Sequence, residues 1–306
     1  MKNSNKYEKC ILCPRKCQVN RNDGKKGICG VDSTIKAARA ALHFWEEPCI
    51  SGENGSGAVF FSGCSLHCVF CQNRDISDGR TGENISKDRL AEIFLELKEK
   101  GANNINLVTA GQYIPDVVWA VENARAQGMD LPIVYNTSGY ETVDNLKMLE
   151  GIVDIYLPDF KYMDSSLAQR YSKASDYPAV VKEAVREMVR QQPEPVFNGK
   201  TGLMEKGVIV RQLLLPGHVK DAKAILSYLY DTYGDSIYIS MMSQFTPMPG
   251  LEAYPEINRP VTRREYERLV EYALSIGIEN AFIQEGDVAK DSFIPAFDCE
   301  GVLRQR

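Results

Sequence analysis

Gly63-Cys64-Ser65-Leu66-His67-Cys68-Val69-Phe70-Cys71 follows closely on the apolar run Ala58-Val59-Phe60-Phe61. That run reads as a β-strand, which places the cysteines in the loop at its C-terminal end. Thiolates spaced by three and then two residues can wrap one corner of a cubane, because iron–sulfur clusters take cysteine ligands at tight loop spacings. One iron is then left without a protein ligand, as a catalytic metal centre requires and a structural one avoids. The competing reading is a zinc or electron-transfer site closed by a distant cysteine, Cys49 or Cys299.

Downstream, short apolar runs alternate with helical patterns. Ser86 to Lys100 reads as a helix in which Leu90, Ile93, Phe94 and Leu97 recur at helical spacing, with Ser86 as cap and Gly101 as stop. Further strands are expected at Ile105-Asn106-Leu107-Val108, Ile133-Val134-Tyr135, 153–157, 208–215 and 237–241. Helices are expected near 116–127, opened by Pro115, and near 142–149, 179–190, 220–233 and 262–275. Six β/α units in series imply an α/β fold with a parallel sheet curled into a partial barrel. Ligand sites in such folds gather where strand C-termini meet the following loops. The Pro- and Gly-rich interval 191–206 reads as an inserted loop or hairpin.

With 306 residues, 44% of them hydrophobic and 25% charged, the chain can bury a full core. Its 41 acidic and 36 basic residues form no basic stripe, so a nucleic-acid partner gains no electrostatic support. No apolar run approaches the ~18 residues that span a bilayer, and Met1-Lys2-Asn3-Ser4-Asn5-Lys6 leads into no apolar signal segment. A cytoplasmic location is the resulting expectation. Nine cysteines, eight of them within the first 71 residues, then point to metal ligation rather than disulfides.

Cys10, Cys13, Cys17 and Cys29 supply four thiolates in twenty residues, which suits structural zinc or a second iron–sulfur cluster. Gly24, Gly27 and Gly30 fit the tight turns of a metal knuckle. Residues 1–50 accordingly read as a cysteine-rich metal-binding segment, and 51–306 as the larger domain. Arg15, Lys16, Arg21, Lys25 and Lys26 are either solvated surface or a zinc-ribbon-like nucleic-acid contact. Cys49 and Cys299 read as ordinary buried thiols, His67 as exposed loop, and His43 and His218 as lacking a partner pattern.

Cys64-x-x-x-Cys68-x-Phe70-Cys71 resembles the radical SAM signature, including the aromatic residue before the last cysteine. Cys71-Gln72-Asn73 resembles the glycyl-radical activating enzymes of the pyruvate formate-lyase activating enzyme group. The similarity to PflX-type, activating-enzyme-like proteins runs over nearly the whole chain. It includes Cys13-Pro14-Arg15, His43-Phe44-Trp45-Glu46-Glu47-Pro48-Cys49 and Tyr135-Asn136-Thr137-Ser138-Gly139-Tyr140. The resemblance implies a partial (β/α)6 barrel, with 51–306 as a radical SAM core plus C-terminal extension. It also implies a 4Fe-4S cluster on Cys64, Cys68 and Cys71, whose open iron binds the amino and carboxylate groups of S-adenosylmethionine. One electron, from a donor such as flavodoxin or ferredoxin, then breaks a C–S bond. The resulting 5′-deoxyadenosyl radical abstracts hydrogen from a substrate, either a glycyl-radical protein or a small molecule.

The same resemblance assigns contacts to S-adenosylmethionine. Thr109-Ala110-Gly111-Gln112 stands where the family has glycine-glycine-glutamate, whose backbone meets the methionyl amino group, and Gln112 lacks the carboxylate. Asn136-Thr137-Ser138-Gly139 resembles Asp-Thr-Asn-Gly, with a neutral amide in place of the anion; by itself Asn136 reads equally as a turn residue. Asp159-Phe160-Lys161 matches an Asp-x-Lys motif, against the alternative of a solvent-facing ion pair. Arg211, in an apolar strand, needs either a ligand carboxylate or Asp159 as partner. Gln244 stands near the position of a histidine in the activating enzymes. The alternative function is a non-catalytic iron–sulfur or zinc protein that carries electrons or binds a partner.

Overall fold

In a computed structural model of the protein, residues 5–284 and 295–304 are described. Residues 1–4, part of the stretch read above for a signal, lie outside them. The strands are β1 (Ile35–His43), β2 (Ser56–Phe61), β3 (Glu83–Ile85), β4 (Ile105–Val108), β5 (Ile133–Thr137), β6 (Ile155–Pro158), β7 (Val196–Phe197), β8 (Met204–Leu213), β9 (Tyr238–Met242) and β10 (Ala281–Ile283).

The sheet runs β10-β9-β8-β6-β5-β4-β2-β1-β3. From β2 to β10 each neighbouring pair is parallel, and the two edge strands do not meet, so the expected α/β partial barrel is what forms. Every residue of β2, β4, β5 and β6 is buried. Strands covered on both faces have no polar side to show, which is why they read as continuous apolar runs.

The main helices fall where their periodicity places them: Lys87–Glu99, Ile114–Ala126, Tyr177–Gln191, Val219–Tyr233 and Arg263–Ser275. The Ser86 hydroxyl accepts from the Arg89 N–H, and Thr262 and Glu265 form a reciprocal capping box. The expected helix 142–149 is a short helix, Val143–Leu146, continued by one tighter turn, Lys147–Leu149. The insertion at 191–206 is a hairpin, since β7 pairs antiparallel with the start of β8.

Three elements depart from expectation. The strand β1 lies antiparallel to β2, although four of the nine residues of its sequence IKAARAALH are alanine. Alanine is depleted in strands, but here Ala37, Ala38, Ala40 and Ala41 are all buried, Ala37 and Ala40 in the main core and Ala38 in a smaller cluster on the other side. Ser165–Ser172 is a helix capped by Asp164, and β10 adds a seventh parallel strand. The chain end returns over β1 through hydrogen bonds from Ala40 N to Glu300 O (2.8 Å) and from Cys299 N to Ala38 O (2.9 Å). Among the described residues no helix is long and apolar enough to cross a membrane.

Candidate active site

A cavity of about 540 Å³ opens at the C-terminal ends of the parallel strands. Cys64, Cys68 and Cys71 line it from the loop after β2, and Thr109, Asn136, Ser138, Asp159, Lys161, Arg211 and Gln244 line it from later strands. Ala110 and Gly111 stand elsewhere. Ala110 is fully buried, and Gly111 lines a smaller neighbouring cavity.

The cysteine loop is shaped by backbone constraint and by one aromatic anchor. Gly63 has φ +91°, and a Cβ there would meet the Cys29 carbonyl oxygen at 2.7 Å. Phe70 packs against Tyr162, Tyr171 and Phe245, so the aromatic residue before the last cysteine holds the loop in the core. Val69 N donates to Tyr171 O (2.9 Å), and the Ser172 hydroxyl donates to Cys68 Sγ (3.1 Å). Burial, then the neighbouring cysteine charges, push the Cys71 thiol up to about 12, and burial also raises that of Cys64. Crowded buried thiolates need a cationic centre to stay ionised, and a 4Fe-4S cluster fits this donor set. Among the described residues no three His, Cys, Asp or Glu side chains converge as ligands of a single metal ion. A cubane instead takes each thiolate on a different iron.

The later strands bring their charges into one network. Arg211 donates from Nε to Asp159 Oδ1 (2.8 Å), from Nη1 to Glu46 Oε2 (3.2 Å) and from Nη2 to Asn136 Oδ1 (2.6 Å). Lys161 Nζ donates to Asp159 Oδ2 at 2.6 Å. This pair is half-buried in the cavity wall rather than facing bulk solvent. Burial opposes the charge on both partners, yet Arg211 and Lys161 hold the Asp159 carboxyl below its usual range. Asp159 and the thiolates of Cys68 and Cys71 hold the Lys161 ammonium above its own.

The two departures from the family motifs now have local reasons. Asn136 Nδ2 donates to Glu46 Oε1 (3.3 Å), a bond that an aspartate could not make. Gln112 Nε2 donates to the carbonyls of Ser62, Gly63 and Thr109 at 3.0, 3.0 and 2.8 Å. A glutamate would point a carboxylate at three carbonyl oxygens. Thr109 itself has φ +60°, an outlier for a β-branched residue, held by its N–H to Asn136 O (2.8 Å).

Sequence reasoning did not assign His43, Glu46 or Glu47 to the site, although all three line the cavity. Adjacent glutamates just beyond the end of a strand were the available signal. Glu46 is met by Asn106, Asn136 and Arg211. Burial lowers the His43 imidazole to about 4, with Arg39 and Arg211 adding to the effect.

The second cysteine group folds against the first. Cys10, Cys13 and Cys29 line the smaller cavity together with Cys64, while Cys17 Sγ accepts from Ile28 N (3.3 Å). A Cβ on Gly27 would approach Cys17 Sγ to 3.2 Å. His67 Nε2 lies 2.6 Å from Ile28 O, and Arg15 Nε donates to Ser65 O (2.9 Å), so the two segments are clamped together. Arg21 is only 1% exposed and donates to Gln112 O at 2.7 Å. Its burial corrects, for that residue, both the solvated-surface and the nucleic-acid readings. His218 bonds the Tyr171 hydroxyl at 2.9 Å. Cys49 is a buried core thiol and Cys299 a partly buried one.

A curled parallel sheet with a cysteine loop after its first parallel strand, opening on a polar cavity at the strand ends, defines a barrel of the radical SAM type. Residues 58–203, just under half of the chain, match the family model of the Radical SAM superfamily. An uncharacterized protein of Methanocaldococcus jannaschii, MJ0674, is 28% identical over 276 residues, covering 88% of this chain and 75% of that protein. Among solved structures, Streptococcus suis SuiB bound to S-adenosylmethionine is similar with TM-score 0.50 and 13% identity, over 73% of this chain and 48% of SuiB. A radical SAM methyltransferase from Sphaerobacter thermophilus is similar with TM-score 0.50 and 17% identity, over 75% of this chain and 66% of the enzyme. This chain thus spans about half the length of SuiB and just under two thirds of the methyltransferase. At these identities the likeness is one of fold.

Proposed function

We propose that this protein is a radical SAM enzyme that holds a 4Fe-4S cluster on Cys64, Cys68 and Cys71 and abstracts hydrogen from a substrate. The observation that carries this reading is the single cavity shared by those thiols and by Thr109, Asn136, Ser138, Asp159, Lys161, Arg211 and Gln244. When bound there, the cluster and S-adenosylmethionine supply one-electron cleavage of a C–S bond and a carbon radical that takes hydrogen.

The chain's own part is placement and shielding. Lys161 sets positive charge beside the thiolates, and Asp159 holds its ammonium in position. The Asp159 carboxylate suits an ammonium or ribose hydroxyl of the ligand. Phe60, Phe61, Leu66, Phe70, Leu213 and Met242 line the same space and keep water from a reactive intermediate.

Residues 1–50 form, in this reading, a metal-binding segment with 51–306 as the catalytic core; because no three thiols among the described residues converge on a single ion, a second iron–sulfur cluster on Cys10, Cys13, Cys17 and Cys29 is favoured over zinc. The nine cysteines are all free, in keeping with a reducing cytoplasm. The Cys71-Gln72-Asn73 resemblance favours activase-like chemistry on a glycyl-radical protein or a small molecule, with flavodoxin or ferredoxin as electron source. Anaerobically reconstituted protein given dithionite and S-adenosylmethionine should release 5′-deoxyadenosine, and Cys64→Ala should not. An intact cluster that releases none, and whose paramagnetic resonance ignores S-adenosylmethionine, would leave the electron-carrier reading standing instead.

A further inference from the structure

Arg21 belongs to the N-terminal cysteine segment, yet it grips the turn that follows β4. Its guanidinium carbon lies 4.9 Å from the Tyr7 ring centroid and 5.7 Å from that of Tyr113. Its donors reach three segments: Nη1 serves Gln112 O at 2.7 Å and Cys10 Sγ at 3.9 Å, and Nη2 serves Asp32 O. Among the described residues no carboxylate stands within ion-pair reach of it, and Asp116 is engaged by the Tyr7 hydroxyl at 2.7 Å. A buried guanidinium served by carbonyls and aromatic faces makes tight demands on where those groups stand, because its donors lie in one rigid fork.

The carbonyl that Arg21 holds closes the turn of residues 109–112. Gln112 returns its own side-chain amide to Thr109 O at 2.8 Å, and the Tyr113 hydroxyl donates to Ser62 O at 3.2 Å. Thr109 lines the large cavity with φ +60°, a conformation that a β-branched residue keeps only where its surroundings over-determine it. One end of the turn is fixed by Thr109 N donating to Asn136 O at 2.8 Å, and the other by Arg21. Arg21 lines the smaller cavity together with Cys10, Thr109 and Gln112 and does not line the large one, so it acts on the turn from behind.

We propose that Arg21 is a positioning residue for S-adenosylmethionine: by fixing the 109–112 turn, it makes the N-terminal segment a structural part of the cofactor pocket. This rests on the reading that S-adenosylmethionine meets Thr109 beside the cluster.

Equilibrium dialysis of cluster-loaded protein against S-adenosylmethionine tests this in Arg21→Met and Arg21→Lys. Iron on the Cys64 loop is counted as the difference between each protein and its Cys64→Ala counterpart. Arg21→Met should bind S-adenosylmethionine roughly ten- to hundredfold more weakly, the range expected for losing a hydrogen bond made by a charged group. At a fixed ligand concentration, the change that S-adenosylmethionine causes in the paramagnetic resonance of the reduced cluster should shrink with it. Arg21→Lys keeps the charge but not the fork, so its affinity should fall between the two. If Arg21→Met does not fold, Arg21→Lys alone decides, by binding more weakly than wild type. A lowered melting temperature with unchanged affinity per loaded cluster would show a merely structural arginine and overturn the proposal. Loss of iron from the Cys64 loop in either variant would overturn it too, since the effect would then lie in that loop and not in the turn. Failure of wild type to bind S-adenosylmethionine with its cluster intact would overturn the underlying reading, and the wild-type dialysis shows that separately.

Discussion

The side-chain amide of Gln112 donates to the carbonyl oxygen of Gly63 at 3.0 Å, joining the end of β4 to the start of the cysteine loop. The same nitrogen serves Ser62 and Thr109, so one buried amide sets the approach of two strand ends. Restoring the family's acid as Gln112→Glu should therefore harm this chain. It replaces a donor by a buried charge facing carbonyl oxygens, at about 3 kcal/mol. Thermal melts should show the loss. Iron content after anaerobic reconstitution should fall with it, because the loop carrying Cys64 is no longer tied.

Arg211→Met should be more damaging than its partly exposed position implies. The guanidinium holds Asp159, Glu46 and Asn136 together, and its removal leaves Glu46 without a cation and Asp159 with Lys161 alone. Breaking a buried pair in this way costs about 3–5 kcal/mol. The pH dependence follows from the depressed carboxyl of Asp159. Its stabilisation is fully present above the ordinary value of 3.8 and is lost as pH falls through the lower folded value. Wild type should lose stability in that acid range, while the variant, in which Lys161 alone holds the Asp159 carboxyl down, should lose less. Denaturant melts at successive pH values should show the gap between them narrowing toward acid.

Much of this architecture was legible because burial on both faces writes itself as apolar runs, as in β4 and β5. The cysteine loop was legible because its spacing is local. What escaped was set by tertiary context. The alanines of β1 give no strand signal until β2 lies beside them. Glu46 and Glu47 gain meaning only when Arg211, 165 residues from Glu46, is folded beneath them. The amides at Asn136 and Gln112 looked like weakened family motifs. Their donor contacts instead show residues fitted to their neighbours.

His43 predicts a second loss of stability in acid, at higher pH. Its imidazole is lowered from 6.5 to about 4, by burial first and then by Arg39 and Arg211. Between those values the unfolded chain binds a proton that the folded chain refuses, so stability falls as pH drops from 6.5 to about 4. His43→Phe removes that penalty and should gain on wild type across the window, by at most about 3 kcal/mol at its lower end. Above pH 7 any difference between the two should no longer vary with pH. A constant difference across the whole range would mean that His43 titrates normally.

The contact between the two cysteine segments can be separated from simple backbone strain by a pair of glycines. Gly63 and Gly128 both hold positive φ, +91° and +97°, so an alanine at either is strained. At Gly128 the added Cβ meets nothing within 4 Å, whereas at Gly63 it meets the Cys29 carbonyl oxygen at 2.7 Å and Val31 at 2.9 Å. Gly128→Ala should cost the conformational term alone, about 1 kcal/mol. Gly63→Ala should cost more, about 3 kcal/mol, and should push the Cys29 turn away from the Cys64 loop. Metal analysis of the two purified variants should then diverge. On the reading proposed above, Gly128→Ala should match wild type, while Gly63→Ala should lose the metal proposed for Cys10, Cys13, Cys17 and Cys29 together with iron from the loop. Equal metal content in both variants would show that the two segments hold their metals independently.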